Sequence, residues 1–433
     1  MLSSLLSSLL SSLLSSLLSS LLSSLLTSAR SWHWDTGWAT DLGSQKVYTA
    51  TPADWGKYVK GAGAEFTIFD INQLTCNLSY AIAGLKAHEA AGSVIKYVEL
   101  GNEMYDGSRP DVVAAYPNGS IYAAKMAVWT KAIHAQWPDA QVAVIGERWN
   151  GYHKPREDTW NKDVLQNPVS TGADAATLHI YCPFNTDVNA SDPANVAAHL
   201  ATAFFRVAQN KRMVAADVPA RLRLWVTEMG VYPPGALLST WLEALFYALM
   251  DLGLPSIAQL DIVTPYCLVC ADPTASAMIA SGGSMAVPSP VVPPADAGKV
   301  AWSVRLKGHA QSLIFAQANG AKTMSQLSFS GDVPIDPAFK DSRHLLGWRF
   351  ERSCGAVSGL VVISASYSAA KLDLDSVTLN GTCTHTQSYP KTQADVTDAA
   401  LSVADLGASK GRVTKGQPVV VQPYAILSVA CTG

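Results

Sequence analysis

In two segments of the sequence, an apolar run is followed closely by a glutamate. These two glutamates are the clearest candidates in the chain for residues that do chemistry. In the stretch KYVELGNEMYDG, residues 96–107, the run stops at Leu100 and is followed, after one glycine, by Asn102 and Glu103. The run LRLWVT is followed in the same way by Glu228. A buried carboxylate is unfavourable unless it is paired, hydrogen-bonded or neutral. We therefore expect both glutamates to have a chemical role.

Alternating strand and helix signals surround both glutamates. Because apolar, strand-like runs are separated by helical stretches, the strands are expected to form a parallel sheet that helices cover. We predict a (β/α)8 barrel, in which all strand C-termini open onto one face and both glutamates point into one cleft. The predicted strands are residues 64–72, 94–100, 141–146, 175–181, 222–227 and 257–263, and the predicted helices are residues 78–91, 121–136, 158–165, 194–210, 236–252 and 300–319.

Two acids in one cleft are the residue types that retaining glycoside hydrolysis needs. One carboxylic acid protonates the leaving oxygen, while a carboxylate about 5 to 5.5 Å away attacks the anomeric carbon. Glu99 is a third acid in the same region. Strand alternation directs its side chain to the face opposite Val98 and Leu100, so we expect Glu99 to pair with a basic neighbour and not to act as a catalyst.

In the numbering of a complete eight-stranded barrel, the strand predicted at residues 94–100 is the fourth and the strand at 222–227 is the seventh. With Asn-Glu closing the fourth strand and Glu closing the seventh, residues 31–433 resemble the clan A glycoside hydrolases. The resemblance implies Glu103 as acid/base, Asn102 as the partner of the sugar 2-hydroxyl, and Glu228 as nucleophile. It also implies that His179 and Tyr181, at the end of the sixth strand, contact the nucleophile and the substrate.

Two further segments narrow this resemblance. The C-terminal domain, predicted at residues 321–433, is similar to those of the heparanase/β-glucuronidase family and of α-L-arabinofuranosidase-like families. The segment TPADWGKYVKGAGAEFTIFDIN resembles the heparanase-like pattern that leads into the third strand.

Other side chains are candidates for the sugar cleft. Trp149 follows the strand predicted at residues 141–146, and Tyr266 follows the strand predicted at residues 257–263. An aromatic face at either place could stack on a sugar ring or serve packing alone. Arg148 is the nearest basic residue in sequence for an acidic sugar. For His179 and Tyr181, a hydrogen-bonded role in the core is the alternative. No metal or other cofactor is expected.

The segment before the strand predicted at residues 64–72, which would be the third strand of a complete barrel, is too short to hold the first two strands. Only residues 31–63 precede it, whereas two pairs of strand and helix need about 60 residues or more. A Leu-Leu-Ser-Ser repeat from Leu5 to Leu26 stands in their place. We therefore predict a barrel that lacks its first two strands. The repeat itself has three interpretations: translated repetitive DNA, a signal or membrane anchor, or an ordinary surface helix.

Three segments are expected along the chain. Residues 1–30 form the low-complexity Leu/Ser tract and residues 31–320 form the incomplete catalytic β/α barrel. Residues 321–433 contain short alternating runs, such as SGLVVISASY, that are separated by turn residues. This pattern predicts an antiparallel β-sandwich.

Composition narrows the partners and the location. Thirty-four acidic and 31 basic residues give a net charge of −3 without a basic run, so nucleic acid is not expected as a partner. Seven cysteines, three of them in the last 80 residues, and four Asn-x-Ser/Thr sequons favour the secretory pathway, outside the cell or in a lysosome-like or vacuole-like compartment. The Leu/Ser tract is the segment that could reach a membrane.

Three classes of function remain open. The leading hypothesis is a retaining O-glycosidase that acts on a polysaccharide or glycoconjugate. The alternatives are a carbohydrate-binding protein that derives from such an enzyme but is inactive, and a membrane-anchored structural glycoprotein.

Overall fold

The structure is a computed structural model, which describes most of the chain outside its N-terminal tract. The described residues are 38–41, 44–47, 51–61, 66–147, 155–166, 172–183, 188–189, 191–232, 240–265, 279–281, 302–332, 334–336, 339–353, 356–377, 379, 381–398 and 400–432. The predictions for the Leu/Ser tract, Arg148, Trp149 and Tyr266 therefore fall outside the described residues.

The chain divides into two compact units, each built from several stretches of sequence. These two units do not correspond to the three segments predicted from the sequence. They do not test those segments, which stay predictions. The first unit takes its described residues from within 1–181, 210–230 and 255–268, and the second from within 182–209, 231–254 and 269–433.

A hairpin and a helix precede the main sheet. Strands β1 (Trp38–Asp41) and β2 (Ser44–Val47) pair antiparallel, and helix α1 (Pro52–Gly61) follows them. The hairpin was not expected from the sequence. No strand before residue 68 in the described part of the chain belongs to the main parallel sheet.

Six parallel strands form the sheet of the first unit. Each strand lies beside its neighbour in sequence order, as in a β/α barrel. The prediction of an incomplete barrel with a C-terminal β domain is therefore confirmed: this sheet has six strands among the described residues, where a closed barrel has eight. The strands are β3 (Ile68–Asp70), β4 (Tyr97–Glu99), β5 (Gln141–Ile145), β6 (Ala175–Pro183), β7 (Arg223–Tyr232) and β8 (Leu260–Pro265).

Helices connect these strands, and polar side chains mark where several of them begin. The side chains of Asn77, Asn118 and Thr240 each accept a hydrogen bond from a backbone N–H in the first turn, which satisfies a donor that would otherwise lack an intrahelical partner. The helices are α2 (Leu78–Ala90), α3 (Pro110–Ala115), α4 (Gly119–Gln136), α5 (Pro155–Asn161) with a π-helical turn (Lys162–Gln166), α6 (Pro193–Asp217), α7 (Trp241–Gly253) with a 3-10 turn (Leu254–Ser256), and α8 (Leu306–Ala318).

An apolar layer fills the inside of the parallel sheet. Five strands each contribute one buried residue to it, and Trp225 meets the Tyr97 ring edge-on at 5.4 Å between centroids. Because this layer fills the sheet near the start of the strands, the polar residues at the strand C-termini are left to form a separate site. The layer consists of Ile68, Ala143, Ala175, Trp225 and Ile262, with Phe66 and Tyr97 packed against it.

The second unit contains the antiparallel sheets that the C-terminal sequence predicts. A six-stranded sheet has the order β11-β14-β15-β20-β17-β18, and two-stranded ribbons pair β9 with β10, β12 with β13, and β16 with β19. The strands are β9 (Ile279–Ser281), β10 (Trp302–Val304), β11 (Thr323–Leu327), β12 (Pro334–Asp336), β13 (Phe339–Arg343), β14 (Leu345–Ser353), β15 (Ala356–Ser364), β16 (Ala370–Leu372), β17 (Thr382–Tyr389), β18 (Gly407–Arg412), β19 (Val419–Val421) and β20 (Ile426–Thr432), with a 3-10 turn at Ala394–Val396.

Side chains from different sheets of the second unit share one core. Leu360 and Leu427 of the large sheet pack in the same buried cluster as Val421 of the β16–β19 ribbon. A disulfide joins Cys383 to Cys431 on the paired strands β17 and β20. Two of the three cysteines in the last 80 residues therefore crosslink this domain.

Several predicted boundaries were wrong. The strand predicted to end at residue 227 continues to Tyr232, the helix predicted to end at residue 210 continues to Asp217, and the strand predicted from residue 257 begins at Leu260. The strand predicted from residue 94 begins only at Tyr97, and Val94 is 69% exposed. The helix predicted from residue 300 begins at Leu306, because the short strand β10 occupies residues 302–304. Within the described residues, no helix is long and apolar enough to cross a membrane.

Candidate active site

Glu103 lies just beyond the end of β4, in a backbone conformation that side chains rarely adopt. Its φ angle is +50°, and that of Gly101 is +94°. The left-handed region costs a non-glycine residue about 1–2 kcal/mol. A Cβ atom on Gly101 would lie 1.9 Å from the Gln73 side-chain nitrogen, so only glycine fits there. Strain of this kind persists where the surrounding structure holds it, and it is common at functional sites.

Glu228 lies within β7, beside an irregularity in strand pairing. The register between β7 and β8 shifts between Val226 and Met229. Such a bulge changes the direction of neighbouring side chains. Consecutive residues can therefore both serve the site: Thr227 donates a hydrogen bond to Glu99 at 3.0 Å, and Glu228 accepts one from Tyr181 at 2.6 Å.

The structure brings Glu103, Glu228, His179 and Tyr181 together. His179 Nδ1 is 3.2 Å from Glu103 Oε1 and 3.4 Å from Glu228 Oε2. One carboxylate oxygen from each glutamate and one ring nitrogen of His179 all lie within 4.8 Å of one another. Two acids that are 125 positions apart in sequence, 228 minus 103, thus meet at one point. The roles assigned to these four residues stay predictions.

Asn102, which directly precedes Glu103 in the chain, has an unused hydrogen-bonding atom. Its side chain is only 7% exposed, and its Oδ1 atom has no hydrogen-bond partner among the described residues. A buried acceptor without a partner is unfavourable in the absence of a donor. A hydroxyl group of a bound molecule is one donor that would satisfy it.

Glu99 has a basic partner, as predicted, and this partner is His179. It is buried, and its Oε1 atom lies 3.9 Å from His179 Nε2. His179 therefore faces Glu103 and Glu228 with one ring nitrogen and Glu99 with the other. The sequence predicted that Glu99 would have a basic partner but did not identify which residue it was.

The pKa of His179 results from two opposing effects. Burial lowers it, because a charged ring is poorly solvated inside the protein, while Glu228, Glu103 and Glu99 all favour the imidazolium form. The carboxylates prevail, and the pKa of His179 is raised well above its ordinary value. The surrounding carboxylates therefore favour the charged form of the histidine.

Burial raises the pKa of Glu228 to about 7. The charge of His179 and the Tyr181 hydrogen bond lower the pKa of Glu228, whereas the neighbouring acids Glu103 and Glu99 raise it. The carboxyl group therefore changes its charge near neutral pH. A titrating acid in a buried cluster is typical of catalytic sites.

Three more side chains in this region were missed from the sequence. The Tyr105 hydroxyl donates to Glu103 Oε1 at 3.2 Å, and Thr227 reaches Glu99. The Arg156 guanidinium also binds the backbone next to Glu103. Because each contact depends on how the chain folds after a strand end, no sequence signal identifies them in advance.

The same cluster has the donor atoms of a metal site. Glu103, His179 and Glu228 can each offer one ligand atom within the 4.8 Å limit. Imidazole and carboxylate donors suit several divalent transition metals. Two of them, Glu103 and Glu228, are, however, the residues to which the resemblance assigns acid/base and nucleophilic chemistry, for which no metal is needed.

A parallel β/α sheet with acids at its strand ends, followed by an antiparallel β domain, is also the architecture of solved glycoside hydrolases, so the predicted resemblance is confirmed at the level of the fold. The sequence matches no protein-family model and no curated protein. The similarity is found among solved structures.

Two of these structures are family 51 α-L-arabinofuranosidases. The thermostable enzyme from Thermotoga petrophila RKU-1 superposes with a TM-score of 0.66 at 13% identity, covering 93% of this chain and 85% of that one. The enzyme from Bifidobacterium longum gives a TM-score of 0.67 at 14% identity, with coverages of 97% and 88%.

A third structure is a 4-O-α-L-rhamnosyl-β-D-glucuronidase from Fusarium oxysporum 12S. It superposes with a TM-score of 0.53 at 12% identity and covers 84% of this chain and 76% of that one. At such low identities the similarities establish a shared fold.

Proposed function

We propose that the protein is a retaining O-glycosidase in which Glu103 is the acid/base and Glu228 is the nucleophile. The observation that carries the proposal is the separation of the two acids, with one oxygen of each within 4.8 Å. Retaining enzymes place their carboxyl groups about 5 to 5.5 Å apart, whereas inverting enzymes need about 6.5 to 9.5 Å to admit a water molecule. The shared fold with known glycosidases supports the same conclusion.

The proposed reaction has two steps. Glu103 donates its proton to the glycosidic oxygen while Glu228 attacks the anomeric carbon, so the glycosidic C–O bond breaks and a glycosyl ester forms on Glu228. Glu103, now a carboxylate, then removes a proton from water, which attacks the same carbon and releases Glu228. His179 and Tyr181 keep the nucleophile oriented, since both contact Glu228 Oε2.

We propose an α-L-arabinofuranoside as the first substrate class to test, because two similar structures are enzymes of that activity. A β-D-glucuronide is the second, on the basis of the third structure. In either case Asn102 Oδ1 would accept a hydrogen bond from the sugar 2-hydroxyl. Stacking by Trp149 or Tyr266 stays a prediction.

The proposal is tested with the full chain and 4-nitrophenyl glycosides of both sugars. We expect release of nitrophenol and, by NMR, a first product that keeps the anomeric configuration of the substrate. Glu228→Gln should lower kcat by about a thousandfold or more, because the nucleophile is lost. Glu89→Gln, which changes an exposed acid on α2, should retain the wild-type rate. An inverted product, or equal rates in all three proteins, would contradict the proposal.

One observation favours a second function. The parallel sheet has six strands in the described part of the chain, where a closed barrel has eight. A protein that binds a carbohydrate without cleaving it needs fewer strands of the barrel than an enzyme does. Saturation-transfer NMR with an arabinan or glucuronide oligosaccharide distinguishes the two functions. Binding without hydrolysis would favour the binding protein.

We further propose that the protein enters the secretory pathway. The Cys383–Cys431 disulfide supports this, because such bonds persist in oxidising compartments. Attachment to a membrane through the Leu/Ser tract stays a prediction.

A further inference from the structure

The segment that carries Glu103 is held from two sides, although its backbone is locally unfavourable. Glu103 and Gly101 both have positive φ angles. On the strand side, the Leu100 carbonyl accepts hydrogen bonds from the Gln73 side chain at 3.1 Å and from the Tyr122 hydroxyl at 2.8 Å. These contacts fix the chain before Glu103.

Arg156 fixes the chain after Glu103. Its guanidinium donates hydrogen bonds to the backbone carbonyls of Met104, at 2.6 Å, and Tyr105. It also donates to the carbonyl of Tyr116, at 2.6 Å, at the end of α3. A guanidinium is planar and carries five N–H donors, so one side chain can hold several carbonyls in a fixed arrangement.

Arg156 is itself held in place. It lies on the short helix α5, and its guanidinium carbon is 4.8 Å from the centre of the Trp160 ring one turn later. Trp160 is fully buried and donates from its indole nitrogen to the Ile145 carbonyl at the end of β5. Arg156 therefore connects the end of β5 to the segment that follows β4.

A direct path leads from Arg156 to the catalytic carboxyl group. Arg156 holds the backbone of Tyr105, and the Tyr105 hydroxyl donates to Glu103 Oε1 at 3.2 Å. Loss of the guanidinium would release the backbone on the C-terminal side of Glu103 and move the hydroxyl that contacts its carboxyl group. The effect would fall on Glu103 and leave Glu228, on β7, in place.

We propose that Arg156 is a positioning residue that holds Glu103 in the orientation from which it protonates the leaving group. This inference rests on the proposed function, because it assigns the orientation a role in glycoside cleavage. Arg156 is not expected to touch the substrate. Its effect is transmitted through Met104 and Tyr105.

Leaving-group dependence tests this role, because only a poor leaving group needs the proton from Glu103. We compare kcat/KM for a phenyl and a 2,4-dinitrophenyl glycoside of the sugar that the wild type accepts. In Arg156→Ala we expect about a hundredfold loss with the phenyl glycoside and less than about threefold with the dinitrophenyl glycoside. Arg156→Lys should be intermediate, since an ammonium group cannot hold all the carbonyls at once.

A matched arginine provides the control. Arg221 is exposed and donates to one backbone carbonyl, that of Leu165, at 3.4 Å. Arg221→Ala should keep both rates. Equal losses on the two glycosides in Arg156→Ala, or the same loss in Arg221→Ala, would overturn the proposal.

Hydrogen exchange tests the structural part of the proposal without turnover. Amides of residues 104–116 should exchange about tenfold faster in Arg156→Ala than in the wild type, and should be unchanged in Arg221→Ala. Unchanged exchange in Arg156→Ala would overturn the proposal whether or not the protein is active. If the wild type hydrolyses neither glycoside, the proposed function fails, and exchange still decides whether Arg156 holds the segment.

Discussion

His179 is the residue through which the acids of the site influence one another. It is 3% exposed and has carboxylates facing both ring nitrogens: Glu99 on one side, and Glu103 and Glu228 on the other. A positive charge at this position favours ionised neighbours. His179 therefore offsets part of the desolvation of Glu228 and keeps that group able to ionise near pH 7.

Tyr181→Phe is expected to shift the pH dependence of hydrolysis. Because the Tyr181 hydroxyl donates to Glu228 Oε2 at 2.6 Å, it stabilises the ionised form and lowers the pKa of Glu228. A hydrogen bond to a charged group contributes about 1.5–3 kcal/mol, which corresponds to a shift of about one to two pH units. We expect the acid limb of the kcat/KM profile near pH 7 in the wild type, and in the variant it should move upward.

The control for this experiment is Tyr367→Phe. Tyr367 is more than half exposed and lies in the second unit, so its loss should leave the profile unchanged. A downward shift of the acid limb in Tyr181→Phe, or an identical shift in both variants, would show that the Tyr181 hydroxyl does not stabilise the carboxylate.

At the level of elements, the segment after β4 determines where the acid lies. The strand ends at Glu99, and the chain then turns through Gly101 before reaching Glu103. Gln73 packs directly against the turn and has two hydrogen-bond partners, the Leu100 carbonyl and the Tyr116 hydroxyl. It cannot move aside without losing both bonds.

Gly101→Ala is therefore expected to destabilise the protein more than the same change at Gly92. Both glycines have φ angles near +95°, but a Cβ on Gly92 would meet nothing within 4 Å. Gly92→Ala should lower the free energy of unfolding by about 1–2 kcal/mol through its φ angle alone. Gly101→Ala should lower it by a further 1–3 kcal/mol or so, because of the overlap with Gln73.

Urea denaturation measures the two free energies of unfolding, and kcat/KM measures the effect on the site. Gly101→Ala should reduce kcat/KM about tenfold or more, since small displacements of a catalytic group have large effects. Gly92→Ala should leave it unchanged. Equal losses of stability in the two variants would mean that the contact with Gln73 does not constrain the turn.

The sequence predicted the meeting of Glu103 and Glu228 because two simple rules suffice for it. Apolar runs locate the strands, and parallel strands place all their C-termini at one face. The contacts of Arg156, Tyr105 and Thr227 could not be predicted, because they depend on the path of irregular segments and on a shift in strand register. Val94 was misassigned because it extends the apolar run without taking part in the strand.

At the level of the whole molecule, the site affects the stability of the fold. Burial of Glu228 raises its pKa from an ordinary 4.5 to about 7. Between these values the folded protein keeps a proton that the unfolded chain has lost, so the contribution of Glu228 to the free energy of unfolding falls as the pH rises from about 4.5 to 7. Above pH 7 the fold contains a buried charge that His179 only partly compensates.

Glu228→Gln should therefore be more stable than the wild type at alkaline pH while being inactive. Glutamine carries no charge at any pH, so the variant lacks the loss of stability that the wild type undergoes on ionisation. We expect a higher melting temperature for the variant at pH 8, and a difference that shrinks towards pH 4.5 and vanishes below it, where Glu228 is protonated in both the folded and unfolded states. Glu89→Gln, at an exposed position, should match the wild type throughout. If the difference between Glu228→Gln and the wild type instead grew as the pH fell, Glu228 would be stabilised as a carboxylate. That result would contradict a raised pKa for Glu228.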